Sequence, residues 1–203
     1  MKLRVRSLHI ALIAAASLVF GLIACTKTDA PAQPPTAAPV AAADPARAYD
    51  AVAAQGKGFS VGAMMSAYPV YVLFDPQCPH CGQLWESTLP LHGKAKFVWI
   101  PVSIMNGKSV LQGAALLSAG NPVEAMTAHE KSILAGSGGM STSASPAPDM
   151  EQAVKKNTAL FSSLGVDSVP YMLARNVSTG AVVSNTGSLT TAELAALLGI
   201  TAP

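Results

Sequence analysis

Cysteine is scarce in this chain, with three among 203 residues. Cys78 and Cys81 form a C-x-x-C pair, and no second pair is present to complete a four-cysteine zinc site. Histidine is equally thin. His9, His80, His92 and His129 show no H-x3-5-H spacing that would supply the missing ligands. Charge of either sign is low, with 13 Lys and Arg against 11 Asp and Glu. Lys2, Arg4 and Arg6 stand at the very start, and without them ten basic residues face eleven acidic ones. That balance offers no surface for nucleic acid, and no nucleic-acid partner is expected. No internal repeat is present.

Long apolar runs are confined to the start. After the basic opening, Leu8 to Ala24 is almost unbroken in apolar side chains. A positive n-region before an apolar h-region is the layout of a secretory signal. The run is marginal for a transmembrane helix, which needs ~20 apolar residues. It ends in Leu22-Ile23-Ala24-Cys25, which resembles the bacterial lipoprotein signal. That resemblance implies cleavage before Cys25 and acylation of that cysteine. The expected boundaries are a signal over 1–24, a tether over 25–48 and a folded domain over 49–203. The expected location is the periplasmic side of a bacterial membrane, with a lipid anchor in the outer membrane. An ordinary signal peptide, leaving a soluble periplasmic protein, or an uncleaved anchor are the alternatives. Lipidation of Cys25 would explain an odd cysteine in an exported chain. Export also places the remaining pair in an oxidising compartment. The Ala, Pro, Gln and Thr composition up to about Arg47 gives little to bury, and its prolines prevent a long helix.

The remaining pair sits in Asp75-Pro76-Gln77-Cys78-Pro79-His80-Cys81, between the apolar run Val70 to Phe74 and an amphipathic segment. A strand entering a helix with two cysteines at the junction reads as a thioredoxin-like redox site. Cys78 at a helix N-terminus faces free backbone N–H groups and the positive end of the helix dipole, which favour a thiolate. Pro79 suits the first helical position, where no N–H is needed. A protonated His80 adds positive charge beside the sulfur. Half of a zinc site and a purely structural disulfide remain the other readings of the pair.

About 150 residues, Tyr49 to Ile200, suffice for one domain with a core. A short helix is expected over Ala48 to Ala54, and strands over Pro69 to Phe74 and Lys96 to Val102. The helix after the motif carries Cys81, Leu84, Trp85, Thr88 and Leu89 at helical spacing. Trp85 reads as core, as do Met64, Met65 and Met126. Val110, Ala114 and Leu117 share a face of the next helix, with Leu111 and Ala115 beside them, and Gly120 ends it. Asn121, Pro122 and Glu124 open another. Residues 135–148 read as a loop. Asp149 is expected to cap a third helix with Met150, Val154, Phe161 and Leu164 on one face, stopped by Gly165. A strand follows Pro170, another contains Val182-Val183, and Thr190-x-x-Glu193 opens a closing helix ended by Gly199. His92, His129, Glu130 and Lys131 read as surface residues. The order gives an α/β, thioredoxin-like fold with an inserted helical block.

Tyr71 to Cys81, the helical block and Leu164-Gly165-Val166-x-x-Val169-Pro170 resemble the catalytic domain of bacterial periplasmic disulfide isomerases of the DsbC/DsbG type, over roughly residues 59–200. The resemblance implies that Pro170 is cis and lies against the cysteines, and that Val169 and Pro170 line the groove for a substrate backbone. It departs in three ways. The family's dimerisation domain has no counterpart in the short segment before the domain, so a monomer is expected. Val169 stands where the isomerases usually have Thr; with Pro79-His80 it is similar to DsbA-type oxidases. Thioredoxins and DsbA carry a buried carboxylate six residues before the first cysteine, where this chain has Val72. No side-chain base for Cys81 is therefore evident from the sequence.

The expected chemistry is thiol–disulfide exchange, with Cys78 as nucleophile, Cys81 as resolving thiol and no cofactor. The expected partners are exported proteins with disulfides or oxidised cysteines, together with a membrane redox partner. Isomerisation or reduction of DsbC/DsbG type is the first reading, and DsbA-like oxidation is its alternative. A Cu(I) module using Cys78, His80 and Cys81, with Met172 near the proline, is a more distant one. A lipid-tethered binding module with an incidental disulfide is the last.

Overall fold

The structure, a computed structural model, describes residues 44–142 and 147–203. The signal, Cys25, the tether as far as residue 43 and the centre of the 135–148 loop lie outside those residues.

Helix α1 (Pro45–Gln55) starts inside the stretch read as tether. The Asp44 carboxylate accepts from the Ala46 N–H and Pro45 occupies the first turn, so this proline opens a helix rather than blocking one. Strand β1 (Phe59–Gly62) is absent from the sequence reading. Four residues, the last of them Gly62, give too few alternations for a period to show. Met64 and Met65 follow it in an exposed turn, 55% and 97% accessible, so neither fills the core; Met126 does.

Strand β2 (Val70–Phe74) leads through the cysteine motif into α2 (Pro79–Thr88). A single 3-10 turn, Leu89–Leu91, ends that helix, and Leu89 is exposed instead of joining the buried stripe. Strand β3 (Lys96–Pro101) pairs parallel with β2. Then come α3 (Lys108–Leu117), α4 (Pro122–Leu134) and α5 (Pro148–Ser163), the inserted helical block. Strands β4 (Tyr171–Arg175) and β5 (Val182–Thr186) and helix α6 (Thr191–Leu198) complete the domain. The sheet order is β1-β3-β2-β4-β5, and every pair except β2–β3 is antiparallel.

Two apolar clusters cover the two faces of this sheet. One gathers Phe74, Trp85, Phe97, Trp99 and Met172 with both cysteines, and α6 closes it through Leu194 and Leu198. The other packs Tyr49, Val52, Leu73, Ile100 and Phe161 under α1 and α5. Trp85 is core, 1% accessible. The Thr190–Glu193 capping box forms in full, and Gly199 takes the left-handed conformation that ends α6.

Four expectations about helices fail for physical reasons. The buried face of α3 is Ser109, Gln112, Gly113 and Leu116 with Ala114, whereas Val110 and Leu117 are only half-buried. Polar groups occupy that face because they hold the turn between β2 and α2. The helix ends at Leu117 with Ser118 as cap, before Gly120. Asp149 lies inside the first turn of α5, where its charge suits the helix dipole, and Ala147 holds the cap position without a side-chain bond. His129 and Glu130 are not surface residues; each is 1% accessible, and His92 is half-buried against Trp85 and Phe97. Only Lys131 of that group is exposed.

Candidate active site

The site grows from the end of β2. Asp75, fully buried, is the hub of the turn. Its Oδ1 accepts from the Gln77 N–H at 2.8 Å and the Ser109 hydroxyl at 2.6 Å. Its Oδ2 accepts from the Ile104 and Met105 N–H groups at 2.7 and 3.0 Å. One carboxylate thus fastens the β2–α2 turn, the β3–α3 connection and the first turn of α3. The Asp75 carbonyl then accepts from the Cys78 N–H at 3.0 Å, fixing where the first cysteine enters α2.

The helical block holds the next two residues of the turn. His129 on α4 donates from Nε2 to the Pro76 carbonyl at 2.7 Å and accepts at Nδ1 from the Met140 N–H at 3.1 Å. That assignment suits a neutral ring, and burial pushes the His129 pKa down. The Gln77 amide donates to Gln112 and to the Gly138 carbonyl, and its oxygen accepts from the Asn106 amide. Gln112 in turn donates to the Gly138 and Met140 carbonyls at 2.9 and 3.0 Å.

Cys78 caps α2, and Cys81 lies one turn on, both as free thiols. Cys78 is 5% accessible and Cys81 is not accessible at all. The Cys78 pKa is lowered to about 6. The largest cause is the hydrogen bond that the Cys81 thiol gives its sulfur. Burial works against this; the backbone N–H groups of Cys81 and His80 and the charge of His80 add to it. His80 itself is exposed, with Nδ1 3.0 Å from the Gln83 amide oxygen. Pro79 fills the first helical position. Cys81 moves the opposite way: burial first, and its bond to the Cys78 sulfur second, push its pKa well up. The pair is therefore polarised into a thiolate ready to attack and a thiol held in reserve.

Val169 and Pro170 stand just before β4, and Val169 meets the pair. Their peptide bond is cis. The Cys78 Sγ lies 3.7 Å from the Val169 carbonyl oxygen, within reach of an S–H donation. The structure thus brings Cys78, Pro79, His80, Cys81, Val169 and Pro170 to one place.

Sequence reading missed four groups here: Asp75 and Gln77, inside the quoted motif, and His129 and Glu130 on α4. Glu130 is the most unusual. Both its oxygens are buried without a hydrogen-bond partner among the described residues. Gly82, next to Cys81, lets α4 come this close. A Cβ there would sit 2.9 Å from Glu130 Oε2 and 3.1 Å from Leu134 Cγ. Glycine inside a helix costs about 1 kcal/mol against alanine, so the close approach is bought with helix stability. Burial, then the charges of Cys78 and Asp75, push the Glu130 pKa up to about 9.

Fold and site together define the architecture as thioredoxin-like. The chain is similar in structure to a periplasmic thioredoxin-like protein from Salmonella enterica serovar Typhimurium, with TM-score 0.58 and 15% identity over 75% of this chain and 94% of that one. The catalytic domain of Proteus mirabilis ScsC gives TM-score 0.58 and 16% identity over 76% and 94%. In sequence the chain is 30% identical over 136 residues to the thiol:disulfide interchange protein DsbG of Pseudomonas aeruginosa, a match covering 64% of this chain and 50% of that protein. The chain thus spans about half the length of that curated relative. No family model matches it.

Proposed function

We propose that this chain exchanges thiols and disulfides on exported proteins, with the Cys78 thiolate as nucleophile and Cys81 as resolving thiol. The polarised pair carries the reading: the first sulfur has its pKa lowered to about 6, while its neighbour is sealed and raised. A structural disulfide needs no such asymmetry. The similarity to DsbG supports the same chemistry.

The Cys78 thiolate attacks a substrate disulfide and one substrate sulfur leaves. Cys81 then attacks Cys78, releases the second substrate sulfur and closes the Cys78–Cys81 disulfide. Isomerisation follows when a substrate thiol displaces Cys78 before Cys81 acts. The backbone beside Val169 offers the substrate strand an acceptor next to the reacting sulfur. Reduction or isomerisation of DsbC/DsbG type is the favoured direction. A second reading, DsbA-like oxidation, rests on Val169 before the cis proline and on the Pro79-His80 dipeptide. The work would take place on the periplasmic side of a bacterial membrane, with the domain tethered through a lipid on Cys25, fed by a membrane redox partner and acting as a monomer.

The test is insulin reduction and the reactivation of a scrambled disulfide substrate, with Cys78→Ala as control. Wild type is expected to exceed the control in both. Equal rates would leave a tethered binding module as the better account.

A further inference from the structure

Three buried titratable side chains surround the cysteine pair, and two are fully engaged. Asp75 accepts from four donors, and His129 uses both ring nitrogens. Among the described residues Glu130 has no partner at either oxygen. An unsatisfied buried carboxyl is expensive, and a fold retains one where its proton has work to do.

We propose that Glu130 is the proton acceptor and donor for Cys81, filling from α4 the role that Val72 cannot fill from β2. This role rests on the exchange reaction proposed above. The residue is placed for it. Glu130 Oε2 lies against Gly82, the residue after Cys81, and when ionised Glu130 adds to the causes that raise the Cys81 pKa.

The groups facing Glu130 set its timing. The charges of Cys78, which caps α2, and of Asp75 in the β2–α2 turn act on it, and its own charge acts on Cys81. On its own helix His129 is bonded elsewhere and Lys131 points to solvent. His80 and Glu86 of α2 and Lys108 of α3 are exposed, and β1 carries no titratable group. In the reduced protein the Cys78 thiolate helps keep Glu130 protonated. Once Cys78 enters a mixed disulfide that charge is gone, and Glu130 ionises more readily while Cys81 is still a thiol. Cys81 then gives its proton to the Glu130 carboxylate as its sulfur bonds to Cys78. The Cys78–substrate S–S bond breaks, and the substrate leaves as a thiolate that takes a proton from water. In reverse, a substrate thiolate opens the Cys78–Cys81 bond at Cys78, and Glu130 returns the proton to the departing Cys81.

The experiment compares wild type with Glu130→Gln, following formation and resolution of the mixed disulfide separately across pH. Formation, which needs only Cys78, should change little. Resolution at pH 7 should slow about 100-fold, the lower end of what positioned acid–base groups contribute. The wild-type rate should level off once Glu130 is ionised. The variant's rate should keep rising with hydroxide, so that the gap closes at alkaline pH. Resolution with the same pH profile in both proteins overturns the role. Absence of any mixed disulfide even when Cys81 is replaced by alanine overturns the exchange reading itself, and this role with it. A second measurement needs no variant. The reduced wild-type protein at pH 7 should show an infrared carboxylic-acid band that titrates away near pH 9. A spectrum without that band overturns the proposal.

Discussion

Cys81→Ala is expected to halt exchange at a covalent adduct between Cys78 and the substrate. The variant keeps the nucleophile and the groove beside Val169 but removes the thiol that resolves the first bond. Incubated with oxidised insulin, it should accumulate a mixed disulfide that reducing agent releases. The double variant lacking Cys78 as well should form none. The alanine also removes the hydrogen bond that most lowers the Cys78 pKa, so the adduct should form more slowly near pH 6 and recover as pH rises. Non-reducing electrophoresis with intact-mass analysis reads both outcomes. An adduct through any other residue, or none at all, would contradict the assignment of the two sulfurs.

Asp75→Ala is expected to cost the fold about 3 kcal/mol or more. The substitution leaves three backbone N–H groups, of Gln77, Ile104 and Met105, and the Ser109 hydroxyl without their acceptor. Each unpaired buried donor costs about 1–3 kcal/mol, and relaxation with water entry reduces the sum. Asp75→Asn, which keeps the shape and one carbonyl oxygen, should lose less. Urea unfolding at constant slope measures both. A loss under about 0.5 kcal/mol for Asp75→Ala would show that the carboxylate is not the fastening point of the turn.

How far the site could be read from sequence depended on which signals were local. The C-x-x-C junction, the Thr190–Glu193 box and the glycine stop at Gly199 are local and showed plainly. The buried polar groups did not, because their burial is decided by what packs across from them. Yet a trace was present. Met126, His129, Glu130 and Ile133 fall at i, i+3, i+4 and i+7 on α4, and Ser109, Gln112, Gly113 and Leu116 repeat that spacing on α3. Both are inward stripes in which polar side chains replace apolar ones. A reading that follows only apolar periodicity turns α3 toward Val110 and Leu117 and sends His129 and Glu130 to the surface. Strand β1 was lost for a different reason, since a four-residue edge strand takes its definition from its pairing with β3. Where polar residues take up a helix's buried stripe, they mark what that helix is for. Here α3 and α4 both grip the turn that carries the cysteines.

The central claim is that Cys78 and Cys81 form a reversible redox couple, and equilibration with glutathione buffers tests it most directly. Reference pairs link the pKa of the first cysteine to potential. Thioredoxin has a pKa of about 7 and a potential of about −270 mV, and DsbA a pKa of about 3.5 and about −120 mV. A Cys78 pKa of about 6 places this chain between them. A single two-electron transition is expected between about −270 and −120 mV, absent from Cys78→Ser. A disulfide that stays closed below about −300 mV would be a structural bridge. That result, or no reversible transition at all, would contradict the account.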